Sequence, residues 1–295
     1  MYETGSDMLA ESLPQEIPTA PQKSLRSNIT EVFFDLETTG QAKTADITQI
    51  AAKCGDKSFS LYVIPSKPIT KEASLITGIS LMNGLIYHRN KLVTAAVPTA
   101  TALGMFVQFV ESLDGQKVLI GHNSARFDIP ILTRLLVKHG LLPRLNACVS
   151  AGLDTLPLCK LLYKKKDVGD YKQVTIYKKL FNSNYSDAHN ALADVLALER
   201  IYVEGIKGKL DIKNHVFSVN SSLLRRKLGD LPCSDTTARK LANTGIGKHH
   251  LKIAYDRDNE NGIRNVLSEQ IGNVPRVSKN AAVIRGLVNY FAGAS

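Results

Sequence analysis

The first uninterrupted apolar run of the chain is Val32-Phe33-Phe34, introduced by Glu31, and it predicts a buried strand. Residues 1–28, before it, mix Pro, Ser, Gln, Thr and Glu with few large apolar side chains, so a disordered tail is expected there. Asp46 to Ala52 and Ser58 to Ile64 read as the next two strands, turned at Gly55-Asp56 and closed by Pro65 and Pro68. Lys71 to Thr77 reads as a short helix ending at Gly78. Thr99 to Leu113 places Leu103, Phe106, Val107 and Val110 at helical spacing, with Pro98 before it and Gly115 after it. Val118 to Ile120 is a short apolar strand. Asp128 to His139 is a helix with Pro130 in its first turn and Gly140 at its end. Val149 to Asp154 completes the strands, and Leu156 to Tyr163, Tyr177 to Phe181 and Ala188 to Glu204 read as helices. Strands first, then strand and helix in alternation, predict an α/β fold with a mixed sheet covered by helices.

Beyond residue 205 the pattern changes. Leu223/Leu224, Leu241/Ala242, Leu251/Ile253/Ala254 and Val283/Ile284/Leu287/Val288 are apolar clusters separated by polar, Gly-containing turns. They predict a small helical module over 206–295, following a main domain over 29–205. Charge follows the same division. The chain carries +10. Residues 206–295 hold 15 Lys and Arg against 7 Asp and Glu, a balance of +8 that leaves +2 for the first 205. A basic balance of this kind favours polyanionic partners.

Composition narrows the class. At 44% hydrophobic and 22% charged residues in a 295-residue chain, a wholly disordered protein is excluded and a buried core is supported. No apolar run approaches the roughly 18 residues of a membrane-spanning helix. The N-terminus lacks the basic start and apolar stretch of a signal peptide, so an intracellular location, nuclear or cytoplasmic, is expected. Cys54, Cys148, Cys159 and Cys233 form no CxxC pair, and neither a disulfide framework nor a zinc site is indicated.

Three short segments carry chemistry. In Phe34-Asp35-Leu36-Glu37-Thr38, alternation along a strand puts Asp35 and Glu37 on one face. Two carboxylates there repel unless a cation sits between them, and oxygen donors suit Mg²⁺ and Mn²⁺. A solvated surface strand is the alternative, opposed by the apolar lead-in. In Gly121-His122-Asn123-Ser124-Ala125-Arg126-Phe127-Asp128, Asp128 opens a helix and, taken by itself, reads as a cap. In His189-Asn190-Ala191-Leu192-Ala193-Asp194, the imidazole and carboxylate sit at the start of another helix.

Taken together the segments give Asp-x-Glu, Asp and His-x4-Asp in that order. FFDLETTG, GHNSARFDIPIL and AHNALADVLAL resemble the three motifs of the DEDDh branch of the DnaQ-like 3′–5′ exonuclease superfamily, over about residues 30–204. The tyrosine branch would place Tyr four residues before the last Asp, where this chain has Asn190. The resemblance implies an RNase H-like mixed five-stranded sheet flanked by helices. It implies a metal-dependent exonuclease acting on nucleic acid with a free 3′ end, DNA favoured. Asp35, Glu37, Asp128 and Asp194 would be ligands of two Mg²⁺ ions, with Mn²⁺ able to substitute, and His189 would be the general base. Such ions, about 3.5–4 Å apart, clamp attacking and leaving oxygens. Leu36, Thr38, Leu75 and Asn123 would be substrate contacts, although Leu75 and Ile76 read equally well as core residues. Related nucleases include dimers, which leaves a homo-oligomer open, and no protein partner is indicated. A non-catalytic nucleic-acid-binding module and an RNA or RNA–DNA hybrid exonuclease are the competing functional readings.

A narrower similarity runs into the tail. Phe33-Phe34-Asp35-Leu36, Ile47 to Ala52, Val216-Phe217-Ser218 and Leu287 to Phe291 resemble the exonuclease-like C-terminal region of promyelocytic leukaemia protein isoform I and its stand-alone relatives, the PML-like exon 9 proteins. The region in the leukaemia protein has lost acidic motif residues that this chain keeps. Leu241 to Lys248 is similar to the G-h-G turn of a helix–hairpin–helix, whose backbone N–H groups approach phosphate. A plain helix-ending turn is the alternative. Arg225-Arg226-Lys227 and Arg239-Lys240 form either a phosphate-tracking patch or a solvated helix face.

Overall fold

The structure is a computed structural model that describes residues 16–25 and 28–293. The chain divides into two compact units: Ser27–His215, and the residues before 27 together with those from Val216 onward.

In the first unit the chain enters through β1 (Ile29–Thr38), β2 (Ile47–Cys54) and β3 (Lys57–Ile64), an antiparallel meander turned at Gly55. Helix α1 (Lys71–Thr77) ends at Gly78, whose φ of 72° is left-handed and suits a residue without Cβ. A small antiparallel sheet follows, of β4 (Ile79–Met82), β5 (Leu85–His88) and β6 (Lys91–Leu92). Then come β7 (Val97–Pro98), α2 (Thr99–Glu111), β8 (Gln116–Gly121), α3 (Asp128–Lys138), β9 (Val149–Asp154), α4 (Thr155–Leu162), α5 (Gln173–Phe181) and α6 (Ala191–Arg200).

Within this unit the main sheet runs β9-β8-β1-β2-β3-β7. β8 is parallel to both β1 and β9, so the sheet is mixed, as expected. Five strands make up its body, and the two-residue β7 extends one edge parallel to β3. β1 lies between β2 and β8, which is why Val32, Phe33 and Phe34 are buried. Each such side chain contributes about 1.5–3 kcal/mol on removal from water. On α2 the residues at helical spacing, Leu103, Phe106, Val107 and Val110, are buried against the sheet, as their pattern predicts.

Two local expectations are corrected. The helix expected from Ala188 begins at Ala191, because Asn190 caps it: its side-chain oxygen accepts from the N–H of Leu192 at 3.1 Å and of Ala193 at 3.4 Å. The same helix leaves α-geometry at Ile201 and runs on as a π turn to Ile206.

The second unit holds α7 (Ser221–Arg226), α8 (Asp235–Asn243), α9 (Lys248–Ser268), α10 (Ala281–Ala292) and a small hairpin of Gln270–Ile271 and Val274–Pro275. Leu224, Leu241, Leu251, Ile284 and Leu287, one from each apolar cluster of the tail and two from the last, converge in one core. Helix α9 is two helical segments joined by a kink at Asp258 and Asn259, where φ/ψ leave the helical region.

Of the expected disordered tail, residues 1–15, 26 and 27 lie outside the described residues. Residues 16–25 are described and include the helical turn Pro21–Ser24. Hydrogen bonds explain its order. Arg276 Nη2 donates to the Pro18 carbonyl at 2.7 Å, Gln22 Nε2 donates to the Val216 carbonyl at 2.9 Å, and Lys23 pairs with Glu269 at 2.8 Å.

Candidate active site

The three acidic segments meet in one cleft of about 860 Å³ whose lining includes Asp35, Glu37, Asp128, His189 and Asp194. β1 supplies the first pair. Asp35 lies opposite Ala51 and Glu37 opposite Gln49 on β2, so strand alternation aims both carboxylates the same way. The register shifts between Glu37 and Thr38, a bulge that ends regular pairing just beyond the pair. Asp128 is the first residue of α3 and is buried. The N-cap is Phe127, so Asp128 is not the capping residue, and its carboxylate accepts main-chain hydrogen bonds from its own residue and from Leu36.

The close approach of these segments rests on Gly121 at the end of β8. A Cβ there would lie 2.5 Å from Ser124 Cβ and 3.1 Å from the Phe34 ring. Only glycine lets the loop from Asn123 to Asp128 fold this tightly against β1.

The carboxylates are held against their charge. Burial, followed by repulsion from Asp128, Asp194 and Glu37, raises Asp35 well above the usual carboxylate range. Burial, then Asp194 and Asp128, pushes Glu37 up to about 8. Burial pushes Asp128 up to about 7 against the lowering effect of main-chain hydrogen bonds. Asp194 is raised by burial, against hydrogen bonds from Tyr185 and the main chain of His189. Among the described residues no Lys or Arg forms an ion pair with any of these four groups. A set of hard oxygen donors with unbalanced charge fits a divalent cation such as Mg²⁺ or Mn²⁺. Glu37, His189 and Asp194 offer ligand atoms lying within 4.8 Å of one another, a cluster that could hold an ion.

His189 stands outside the helix, on the exposed turn before it, with a left-handed φ of 66°. Asp187 is left-handed too, at 62°. Such conformations cost about 1–3 kcal/mol each and persist where surrounding bonds over-determine them. Here the bonds are visible. His189 N–H donates to Asp194 Oδ2 at 2.9 Å, Asn190 N–H to the Asp187 carbonyl at 3.1 Å, and Ala191 N–H to Gln49 Oε1 at 3.0 Å. Arg89 pairs with the Asp187 carboxylate.

Sequence reasoning missed the groups that orient these residues. Tyr185 donates its hydroxyl to Asp194 Oδ1, and Gln173 Nε2 donates to the Asp194 carbonyl at 2.8 Å. Asp154 receives three main-chain N–H groups, from Asn123 at 2.8 Å, Ala125 at 3.2 Å and Leu156 at 2.9 Å. It thereby fixes the loop leading to Asp128. No spacing rule in the chain points to Tyr185 or Gln173. Asp154, directly before a helix, carried a capping signal that was legible.

Of the four expected substrate contacts, Leu36 and Asn123 line the cleft, and Thr38 and Leu75 are not among its lining. Thr38 donates its hydroxyl to the Gly40 carbonyl at 2.8 Å. Leu75 is 75% exposed and Ile76 51% exposed, which overturns the reading of both as core residues, and Ile76 lines the cleft.

In the second unit the G-h-G turn spends its N–H groups internally. Gly245 donates to the Ala242 carbonyl at 3.0 Å, Ile246 to the Leu241 carbonyl at 2.9 Å and Gly247 to His250 Nδ1 at 2.9 Å. None of these three is left for phosphate, so the plain turn is the correct reading. Asp235 pairs with both Arg225 and Arg239, which neutralises part of the basic patch.

Comparison with known proteins agrees with this architecture. The family model of the Exuperantia RNAse H-like domain matches residues 29–180, just over half of the chain. The chain belongs to this family. The three-motif resemblance to the DEDDh, DnaQ-like superfamily is borne out by it and by relatives. Three-prime repair exonuclease 1 of Homo sapiens is 25% identical over 215 residues, covering 62% of this chain and 64% of that protein. Three prime repair exonuclease 2 of Mus musculus is 28% identical over 204 residues, covering 59% of this chain and 82% of the relative. The chain thus spans under two-thirds of the first relative's length. Among solved structures, E. coli Exonuclease I in complex with a dT13 oligonucleotide aligns with a TM-score of 0.49 at 14% identity, covering 90% of this chain and 74% of that one. A second family model, the PML C-terminal domain, matches residues 233–294. That span includes the expected similarity at Leu287 to Phe291 and leaves Val216 to Ser218 outside it. No helix among the described residues is long and apolar enough to cross a membrane.

Proposed function

We propose that this protein is a metal-dependent 3′→5′ exonuclease that removes nucleoside 5′-monophosphates from nucleic acid with a free 3′ end, DNA favoured. The observation that carries the reading is the convergence of Asp35, Glu37, Asp128, His189 and Asp194, from three distant segments, on one cleft. The names of the relatives support it. The chemistry is assigned to residues 29–205, and the basic module over 206–295 is given no catalytic role.

Asp35, Glu37, Asp128 and Asp194 would hold two divalent ions, Mg²⁺ or Mn²⁺. Bound there, such ions stabilise the charge that develops on attacking and leaving oxygens in a phosphodiester displacement. The protein's own groups supply position and proton transfer. His189 takes a proton from the attacking water at an imidazole nitrogen. The water oxygen bonds to phosphorus, the P–O3′ bond breaks, and the leaving O3′ takes a proton from solvent water, so the shortened strand ends in a 3′-hydroxyl. Asn123, on the loop fixed by Asp154, and the main chain at Leu36 border the reacting phosphate.

The test is digestion of a 5′-labelled duplex with a 3′ overhang in Mg²⁺, Mn²⁺ or EDTA. A ladder that shortens from the 3′ end with either metal, and vanishes with EDTA or in Asp35→Ala, is expected. A folded wild-type protein that yields no ladder with any metal overturns the reading.

A further inference from the structure

One stretch of chain, from Leu156 to Val174, contributes a whole wall to the cleft, and its character is opposite to that of the carboxylates. It brings Lys160, Lys165, Tyr171 and Lys172 to the lining. All three lysines are exposed, and among the described residues none forms an ion pair. Asp170 is the one acidic side chain of that stretch in the lining. Its Oδ1 is engaged within its own turn, accepting from Lys172 N–H at 2.9 Å. The wall therefore presents three ammonium groups to the cleft, none of them within ion-pairing distance of a carboxylate among the described residues, with Asp170 attracting Lys172 and Lys165 only at longer range.

The wall is also built in place. His122 Nε2 lies 2.8 Å from the Tyr171 carbonyl, which can only accept, so that nitrogen carries the proton. Nδ1 then accepts from the Thr155 hydroxyl at 2.9 Å. Tyr171 in turn donates its hydroxyl to the Tyr163 carbonyl at 2.9 Å, and the Lys160 ammonium stands 5.7 Å from the centre of its ring. A loop of lysines stapled at both ends differs from a solvated charge run, which needs no such support.

We infer that Lys160, Lys165 and Lys172 form a backbone track for the strand 5′ to the scissile bond, taking its phosphates as ion pairs without reading bases. This deepens the exonuclease reading and rests on it for the direction in which the strand lies. The charge arrangement requires a substrate that is anionic along its length. The reacting phosphate sits by the carboxylates, and the phosphates behind it run along the lysines. Lysine is a point charge and specifies no base, so the track favours length of strand over sequence.

The test measures binding and chemistry separately. Binding of a 5′-labelled single-stranded oligonucleotide is followed by fluorescence anisotropy in EDTA, over a series of salt concentrations. Wild type is compared with the triple variant Lys160→Gln, Lys165→Gln, Lys172→Gln, with Lys91→Gln on the β5–β6 hairpin as control. The triple variant is expected to bind at least about tenfold more weakly at low salt, uniformly across sequences, with a log–log salt slope reduced by about one per lysine. Lys91→Gln is expected to match wild type. Equal affinity and slope in the triple variant, or no measurable wild-type binding at low salt, overturns the track. Hydrolysis of the p-nitrophenyl ester of thymidine 5′-monophosphate by wild type, a substrate with no upstream strand, reports on the reaction alone. Lysine-dependent binding without that hydrolysis in either metal would leave the lysines as a phosphate-binding track, stripped of its 5′ direction, and remove the exonuclease reading.

Discussion

The main-chain N–H of His189 donates to Asp194 Oδ2 at 2.9 Å, so the carboxylate that ends the third motif also holds the backbone of the residue that begins it. His189 needs that hold because its φ is 66°. A β-branched side chain resists this conformation far more than glycine does. His189→Gly is expected to keep its Tm, since relief of about 1 kcal/mol of strain offsets glycine's greater unfolded freedom. His189→Val is expected to lose about 1–2 kcal/mol. Both should lose about 10²–10⁴-fold in hydrolysis, the usual contribution of a general base. Thermal melts and initial rates on the three proteins check this.

Tyr185 acts on the site through Asp194, to which it donates its hydroxyl. Burial and the neighbouring carboxylate raise the phenol far above its ordinary value, so it stays a donor at any working pH. Removing partners of this kind costs about 10–100-fold in metal affinity or activity. Tyr185→Phe is therefore expected to shift the Mn²⁺ activation curve to higher concentration by that factor with the fold intact. An unshifted curve would mean that Asp194 is positioned without it.

Stability should depend on pH in a direction opposite to that of most carboxylate-rich proteins. Burial, with repulsion from Asp194 and Asp128, raises Glu37 to about 8 from an ordinary 4.5, and burial, with repulsion from Asp154, raises Asp128 to about 7 from an ordinary 3.8. Between those limits the folded chain binds more protons than the unfolded one, so this site's contribution to stability falls as pH rises from 4 to 8. Metal-free protein should melt lower at pH 8 than at pH 6, and Asp35→Asn should flatten the difference. Added Mg²⁺ or Mn²⁺ competes with those protons, so the Tm gain from metal should be larger at pH 8. Calorimetry of both proteins with and without metal measures each sign.

Gly121 sets how closely the Asp128 loop can lie on β1. Gly121→Ala would bring a methyl to 2.5 Å from Ser124 Cβ. Overpacking of this kind costs about 1–3 kcal/mol. Because the displaced segment carries Asn123 and Asp128, hydrolysis should fall more steeply than stability. A parallel set of denaturation curves and rates would show whether the two losses separate.

Much of this was legible in the chain because the relevant signals are local. Strand alternation in Val32 to Glu37 fixed which carboxylates share a face, and the Pro130 and Gly140 signals bracketed α3 to within a residue. The small sheet of β4 to β6 went unread although Asn83-Gly84 signals a tight hairpin, and both are left-handed there, at φ 51° and 78°. Its strands of four residues or fewer are too short for periodicity to register. The start of α6 was misplaced because Asp187, Ala188 and His189 suit a first helical turn, and only the bonds to Asp194 and Gln49 favour the left-handed turn instead. Tyr185 and Gln173 were invisible for the same reason: they matter through tertiary placement.

The most direct measurement follows linear single-stranded DNA labelled at its 3′-terminal nucleotide, beside a covalently closed circle of the same sequence, in Mg²⁺ and in EDTA. The account predicts that the label leaves first, as a nucleoside 5′-monophosphate, that the circle resists, and that EDTA stops release. Cutting of the circle at the rate of the linear strand, or products ending in a 3′-phosphate, would contradict it.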